Sequence, residues 1–258
     1  SFIQLSSILF SQSQTNTEPP NIVCILVDDL GYGDLSIQGA TDMHTPEIDY
    51  IANQGIVFNS FYANSSVCSP SRAALLSGRY PDIVGVPGVI RQNSNNSWGN
   101  LADSTLFISE VLKANGYHTA VIGKWHLGWD WNIPGKKDKN LDRLNARPEV
   151  DFSKPVKNGP QTHGFDYSYG FCGSLDMPPY VWVENDMPTM IPTKTTVNKG
   201  KQSRWREGLT SDDFDHEQVL PAMTQKSVSF IREHAKGEKP FFLYLPLPAP
   251  HTPILPTE

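Results

Sequence analysis

Asn21-Ile22-Val23-Cys24-Ile25-Leu26-Val27 runs directly into Asp28-Asp29-Leu30-Gly31-Tyr32-Gly33-Asp34. Six consecutive apolar residues of strand length, with no polar residue alternating among them, predict a strand covered on both faces, as in a parallel sheet. Working outward, Thr45-Pro46-Glu47 opens a helix that continues through Asn53, with threonine as cap and proline in the first turn. Ile56 to Tyr62 reads as a strand, Ser71 to Ser77 as a short helix, and Leu106 to Asn115 as a helix stopped by Gly116. Tyr117 to Ile122 is a further strand, Gln218 to Ala235 a helix, and Phe241 to Leu245 a strand. Strands alternating with helices predict an α/β protein whose mainly parallel or mixed central sheet is sandwiched by helices.

Two stretches, 129–163 and 176–215, are rich in Pro, Gly, Asn, Asp and Lys and exceed what simple connections require. Insertions of that kind are expected to shape a binding site. Phe165, Tyr167, Tyr169, Phe171, Tyr180, Trp182 and Trp205 lie in or near them. Most are expected to pack, with about one or two left to stack on a ligand such as a sugar.

With 38% hydrophobic residues in 258, the chain can bury a sizeable core in one large domain. A net charge of −6 excludes nucleic acid as a partner, because phosphate backbones need a basic face. Cys24, Cys68 and Cys172 lack metal-ligand spacing and suggest neither a disulfide framework nor a zinc site; Cys24, inside the apolar run, reads as core. No run reaches membrane-spanning length. Residues 1–20 read either as the remnant of a secretion signal, apolar from Ser1 to Ser11, or as a disordered arm. Asn64-Ser65-Ser66 and Asn95-Asn96-Ser97 match the glycosylation pattern, which acts only in a eukaryotic secretory pathway.

Open parallel sheets bind ligands beyond the carboxyl ends of their strands, and three predicted strands end in polar clusters. Asp28 and Asp29 adjoin at the first, where their mutual repulsion suits a hard cation such as Ca²⁺, or Mg²⁺ as the lesser alternative. The second runs into Gly123-Lys124-Trp125-His126-Leu127-Gly128, where in extended chain Lys124 and His126 share a side and two glycines permit close backbone approach. The third leads through Pro246, Pro248 and Pro250 to His251-Thr252-Pro253, a stiffened approach to one imidazole. Between them, Cys68-Ser69-Pro70-Ser71-Arg72 sets a thiol, two hydroxyls and a cation at a helix start, with Ser69 the expected cap. Free amides there favour an anion and make a neighbouring thiol more acidic.

Cys68-x-Pro-Ser-Arg followed by Ala73-Ala74-Leu75-Leu76-Ser77-Gly78-Arg79-Tyr80-Pro81 resembles the signature of the type I sulfatases, formylglycine-dependent and arylsulfatase-like. Asp28-Asp29-Leu30-Gly31-Tyr32-Gly33-Asp34, Gly123-Lys124-Trp125-His126-Leu127-Gly128 and Pro250-His251-Thr252-Pro253 resemble further family segments in the right order, from about Asn21 onward. The resemblance implies an alkaline-phosphatase-like fold, calcium held by Asp28, Asp29 and the modified Cys68, and sulfate-ester hydrolysis. It implies that a formylglycine-generating maturation enzyme oxidises Cys68, and that one oxygen of the hydrated aldehyde attacks sulfur. Arg72 and Lys124 then stabilise charge, and His251 contacts sulfate and assists the leaving oxygen. His126 removes a proton so that sulfate is eliminated and the aldehyde returns.

The family pattern also carries later calcium ligands and a lysine beyond the Pro-His-Thr-Pro segment. Residues 21–258 are therefore expected to be a catalytic domain truncated at its carboxyl end. The substrate is expected to be a sulfated carbohydrate or other sulfated small molecule, and the location secreted or periplasmic, lysosomal or extracellular in a eukaryote. Alternatives are a phosphonate or phosphate ester hydrolase of the same superfamily, or a non-catalytic anion-binding relative.

Overall fold

The computed structural model describes residues 18–91, 101–102, 104–134 and 150–256. The apolar stretch Ser1 to Ser11, the sequence Asn95-Asn96-Ser97 and the middle of the 129–163 insertion lie outside them. The elements follow as β1 (Ile22–Asp28), α1 (Pro46–Gln54), α2 (Cys68–Ser77), α3 (Ile108–Ala114), β2 (His118–Lys124) and β3 (Tyr167–Phe171). Then come β4 (Val183–Glu184), β5 (Met187–Pro188), β6 (Lys194–Asn198), β7 (Trp205–Thr210), α4 (Val219–His234) and β8 (Phe241–Pro250).

Six strands form one sheet in the order β1-β8-β2-β3-β4-β5, and β6 and β7 form a separate hairpin. β1, β8, β2 and β3 run parallel, while β4 and β5 extend the sheet antiparallel. The last strand in sequence thus enters between the first two, and the carboxyl ends of all four parallel strands come to one edge. Alternation assigns side chains to two layers. Val121, Phe242 and Tyr244 join a core with α2 residues Ala73 and Leu76 and with Phe107 and Trp125. Ala120, Ile122, Phe241 and Leu243 join another with Val219, Met223 and Phe230 of α4.

The helices expected at 46–53, 106–115 and 218–235 are present with small shifts at their ends, and Gly116 has φ 87° where α3 stops. Four expectations fail. Ile56 to Tyr62 is not a strand: no described strand pairs with it, and Ile56 and Tyr62 are 81% and 82% exposed. Among the described residues β1 is an edge strand with one covered face, since Ile22, Cys24 and Leu26 pack inward while Val23 and Ile25 are 44% and 53% exposed. α2 starts at Cys68 with Val67 as its cap residue and no side-chain cap; Ser69 instead accepts a hydrogen bond from the Ile90 amide at 3.0 Å. β8 continues past Leu245 to Pro250, because β2 pairs only as far as Tyr244 and the prolines follow where that ladder has ended. The 176–215 insertion also contains β4 to β7, and Phe165, Tyr169, Phe171, Tyr180 and Trp182 are buried core residues.

Candidate active site

The rim begins at the end of β1, where Asp28 is buried and Asp29, in left-handed backbone at φ 64°, is turned outward and exposed. The two adjacent carboxylates therefore do different things. Lys124, at the end of β2, donates from Nζ to Asp28 Oδ2 and to Ser174 Oγ at 3.2 Å. Arg72 lies one turn into α2 from Cys68, so both sit on one helix face. Its guanidinium donates to the Lys124 carbonyl at 2.8 Å and lies 3.4 Å from Asp28 Oδ2. Two buried cations thus share one buried carboxylate, an arrangement in which removing any partner strands a charge.

His251 arrives from β8, its amide bonded to the Asp28 carbonyl at 3.0 Å. Its Nδ1 lies 2.6 Å from the Thr252 carbonyl and 3.2 Å from Ser174 Oγ. A proton on Nδ1 satisfies that carbonyl and leaves Nε2, 3.9 Å from Asp29 Oδ2, to face the rim. His126 is fully buried, and its φ of 54° turns it into the site just after β2. Lys124 and His126 are thus brought together by a turn rather than by the strand alternation expected. The His126 amide is fixed to the Cys172 carbonyl at 2.9 Å.

Burial holds the His126 imidazole well below its ordinary range, with Lys124, Arg72 and His251 adding to the effect, so it is neutral at physiological pH. Burial and then Arg72 push the Lys124 ammonium down, while Cys68 and Asp28 act in the opposite direction. Beneath them the Tyr244 hydroxyl is pushed up to about 12 by burial. Arg72 Nε, the two His126 nitrogens and the Tyr244 hydroxyl make no hydrogen bond of good geometry among the described residues, although Tyr244 lies against the Arg72 side chain and His126 against the Ile90 backbone. The buried Arg72 and Lys124 cations beside an uncapped helix start suit an anion.

Among the described residues, no group of three or more His, Cys, Asp and Glu side chains is placed to hold a metal. Asp28 Oδ2 is taken up by Lys124 and Arg72 while Asp29 faces outward, and calcium takes about six to eight oxygens, more than these two carboxylates supply. Ser174, which bridges Lys124 and His251, was not singled out from sequence. The clue was available: Cys172-Gly173-Ser174 follows the end of β3, a fourth parallel strand end obeying the same rule as the other three.

Residues 20–258 match the protein-family model described as Sulfatase. The chain belongs to the sulfatase family. It is 32% identical to an N-acetylgalactosamine-6-O-sulfatase of Bacteroides thetaiotaomicron over 275 residues, covering 93% of this chain and 50% of that protein. It is 35% identical to human arylsulfatase A over 235 residues, covering 88% of this chain and 40% of the relative. A solved structure described under metabolism of multiple glycosaminoglycans by Bacteroides thetaiotaomicron superposes with a TM-score of 0.75 at 31% identity, covering 93% of this chain and 53% of that one. The chain thus spans half or less of the length of these two sulfatases. Among the described residues, no helix is long and apolar enough to cross a membrane.

Proposed function

We propose that this sulfatase-family chain carries the nucleophile and cation side of a site that hydrolyses sulfate esters of a carbohydrate. The observation that supports the reading most is the pair of buried cations, Arg72 and Lys124, gathered beside the start of the Cys68 helix. Sulfuryl transfer concentrates negative charge on nonbridging and leaving oxygens, and fixed cations in a water-poor pocket stabilise that charge without reorganising. The carbohydrate assignment leans on the names of the relatives, two of which concern an N-acetylgalactosamine-6-O-sulfatase and glycosaminoglycan metabolism.

Formylglycine derived from Cys68 would supply the nucleophilic oxygen, and a calcium ion held in part by Asp28 and Asp29 would polarise a sulfate oxygen. The chain's own residues do the rest. Arg72 is locked to the Lys124 carbonyl and stands one turn from Cys68 on the same helix. Lys124 is aimed by Asp28 and Ser174. His126, kept neutral by burial and neighbouring cations, is suited to accept a proton rather than to donate one. His251, with Nδ1 committed to Thr252 and Ser174, presents Nε2 to the rim, where it can donate to the leaving oxygen when that nitrogen also carries a proton.

Turnover of matched aryl sulfate, phosphate and phosphonate esters, followed by a panel of sulfated oligosaccharides, tests the reading. Sulfate release is expected to lead by a wide margin. Faster phosphonate cleavage overturns the reaction, and activity confined to small aryl sulfates overturns the carbohydrate.

A further inference from the structure

The β6–β7 hairpin concentrates a charge that the rest of the chain opposes. From Lys194 to Arg206 stand Lys194, Lys199, Lys201, Arg204 and Arg206, with no carboxylate among them, in a protein of net charge −6. Lys194 is paired with Asp212 at 3.5 Å and Arg206 with Asp176 at 2.5 Å. Lys199, Lys201 and Arg204 lie in the turn joining the strands, are exposed, and have no ion-pair partner among the described residues. Lysines that guard a sheet edge sit along the strand; these three sit beyond the strand ends and guard nothing.

The turn is held at the rim from two sides. Arg206 donates to the Asp176 carbonyl at 3.0 Å, and the Tyr180 hydroxyl donates to the Arg206 carbonyl at 2.8 Å. Gly208 approaches Pro178 so closely that a Cβ there would lie 2.0 Å from the proline Cβ, which docks β7 on the segment just after Ser174. On the other side the Ile254 amide donates to the Gln202 carbonyl, inside the turn, at 2.9 Å. Asp176 is two residues from Ser174 and Ile254 three from His251, so at most about 11 Å of chain separates each tether from the site residue it follows.

We propose that this turn is an accessory subsite for a second anionic group of the substrate, a sulfate or carboxylate on a neighbouring sugar of a polyanionic glycan. The proposal rests on the sulfate-ester reading of the rim for the position of the first sulfate. An acidic protein repels such a chain at long range, and a fixed basic turn at the rim provides local attraction that selects highly charged saccharides over singly sulfated ones.

The test is the triple variant Lys199→Ser, Lys201→Ser, Arg204→Ser, whose exposed turn residues support no packing. Two quantities are measured: affinity for a fluorescent oligosaccharide sulfated on every residue, by anisotropy at low and high salt, and kcat/KM for an aryl monosulfate. Affinity for the oligosaccharide is expected to fall about tenfold at low salt, from three exposed charge contacts. The difference should shrink at high salt, and aryl sulfate turnover should stay at the wild-type value. Unchanged oligosaccharide affinity, or an equal loss on the monosulfate, overturns the subsite. A wild-type protein that cleaves no sulfate ester, yet binds the oligosaccharide in a way the triple variant loses, overturns the activity and leaves the subsite standing.

Discussion

Replacing Gly170 with alanine tests how tightly the sheet positions the rim. Gly170 on β3 faces Gly123 on β2, and a Cβ at 170 would stand 2.0 Å from the Gly123 carbonyl oxygen, whereas ordinary contact begins at 3.4 Å. The obstacle is backbone, so no side chain can swing aside; the strands must separate or twist by more than about 1 Å. Overpacking of this kind costs about 1–3 kcal/mol. At about 2 kcal/mol the midpoint of thermal unfolding falls by roughly 4–8 °C for a chain of this size. The same shift moves the end of β2, whose Lys124 carbonyl orients Arg72 and whose following turn sets His126. A misplacement near 1 Å is expected to lower kcat about 10²-fold. Differential scanning calorimetry with sulfate-release kinetics reads both effects. Gly159→Ala is the control, since its Cβ meets nothing closer than 3.8 Å. A Gly170→Ala protein as stable and as active as the control refutes the claim that close contact between β2 and β3 fixes the site.

Other consequences follow from single contacts. Arg72→Lys keeps a charge but loses the guanidinium fork that bonds the Lys124 carbonyl, and kcat/KM for an aryl sulfate should fall about 10²–10³-fold; an effect under threefold contradicts the assigned role. Ser174→Ala removes the bridge between Lys124 and His251 and should lower kcat roughly tenfold while KM changes little, as measured with the same ester. Burial depresses His216, stacked on Trp205 with ring centroids 3.9 Å apart, to about 4. The unfolded chain therefore takes up this proton first: stability is whole above about pH 6.5 and is lost as pH falls toward 4, by about 3 kcal/mol at most. His216→Phe should flatten that acid limb in pH-dependent urea unfolding, and an unchanged slope argues against the burial effect.

The parts of the fold legible in sequence were those whose residues report their own environment. The apolar runs that became β1, β2 and β8 and the Pro46 and Gly116 helix boundaries all needed only local chemistry to be recognised. Partnership was not legible. Ile56 to Tyr62 has strand composition but no strand beside it among the described residues, and β1 is apolar on a face that no described helix covers. Five of the seven aromatic residues are buried in packing, as expected of most of them, and Tyr167 and Trp205 are the two left partly exposed. Asp28, Arg72, Lys124, His126 and His251 do converge, since parallel strand ends must share an edge. Ser174 is not singled out because the sequence reading places no strand at Tyr167 to Phe171, so the strand-end rule that marks the residues after β1, β2 and β8 is not applied to it.

The central claim, that Cys68 becomes the working nucleophile of this rim, is tested most directly by the mass of the Cys68 peptide. The protein is produced with a formylglycine-generating enzyme, assayed for sulfate release, and then digested. The account predicts an aldehyde at position 68 in a fraction that tracks specific activity from one preparation to the next. Full sulfate release from protein whose residue 68 is entirely an unmodified thiol would contradict it.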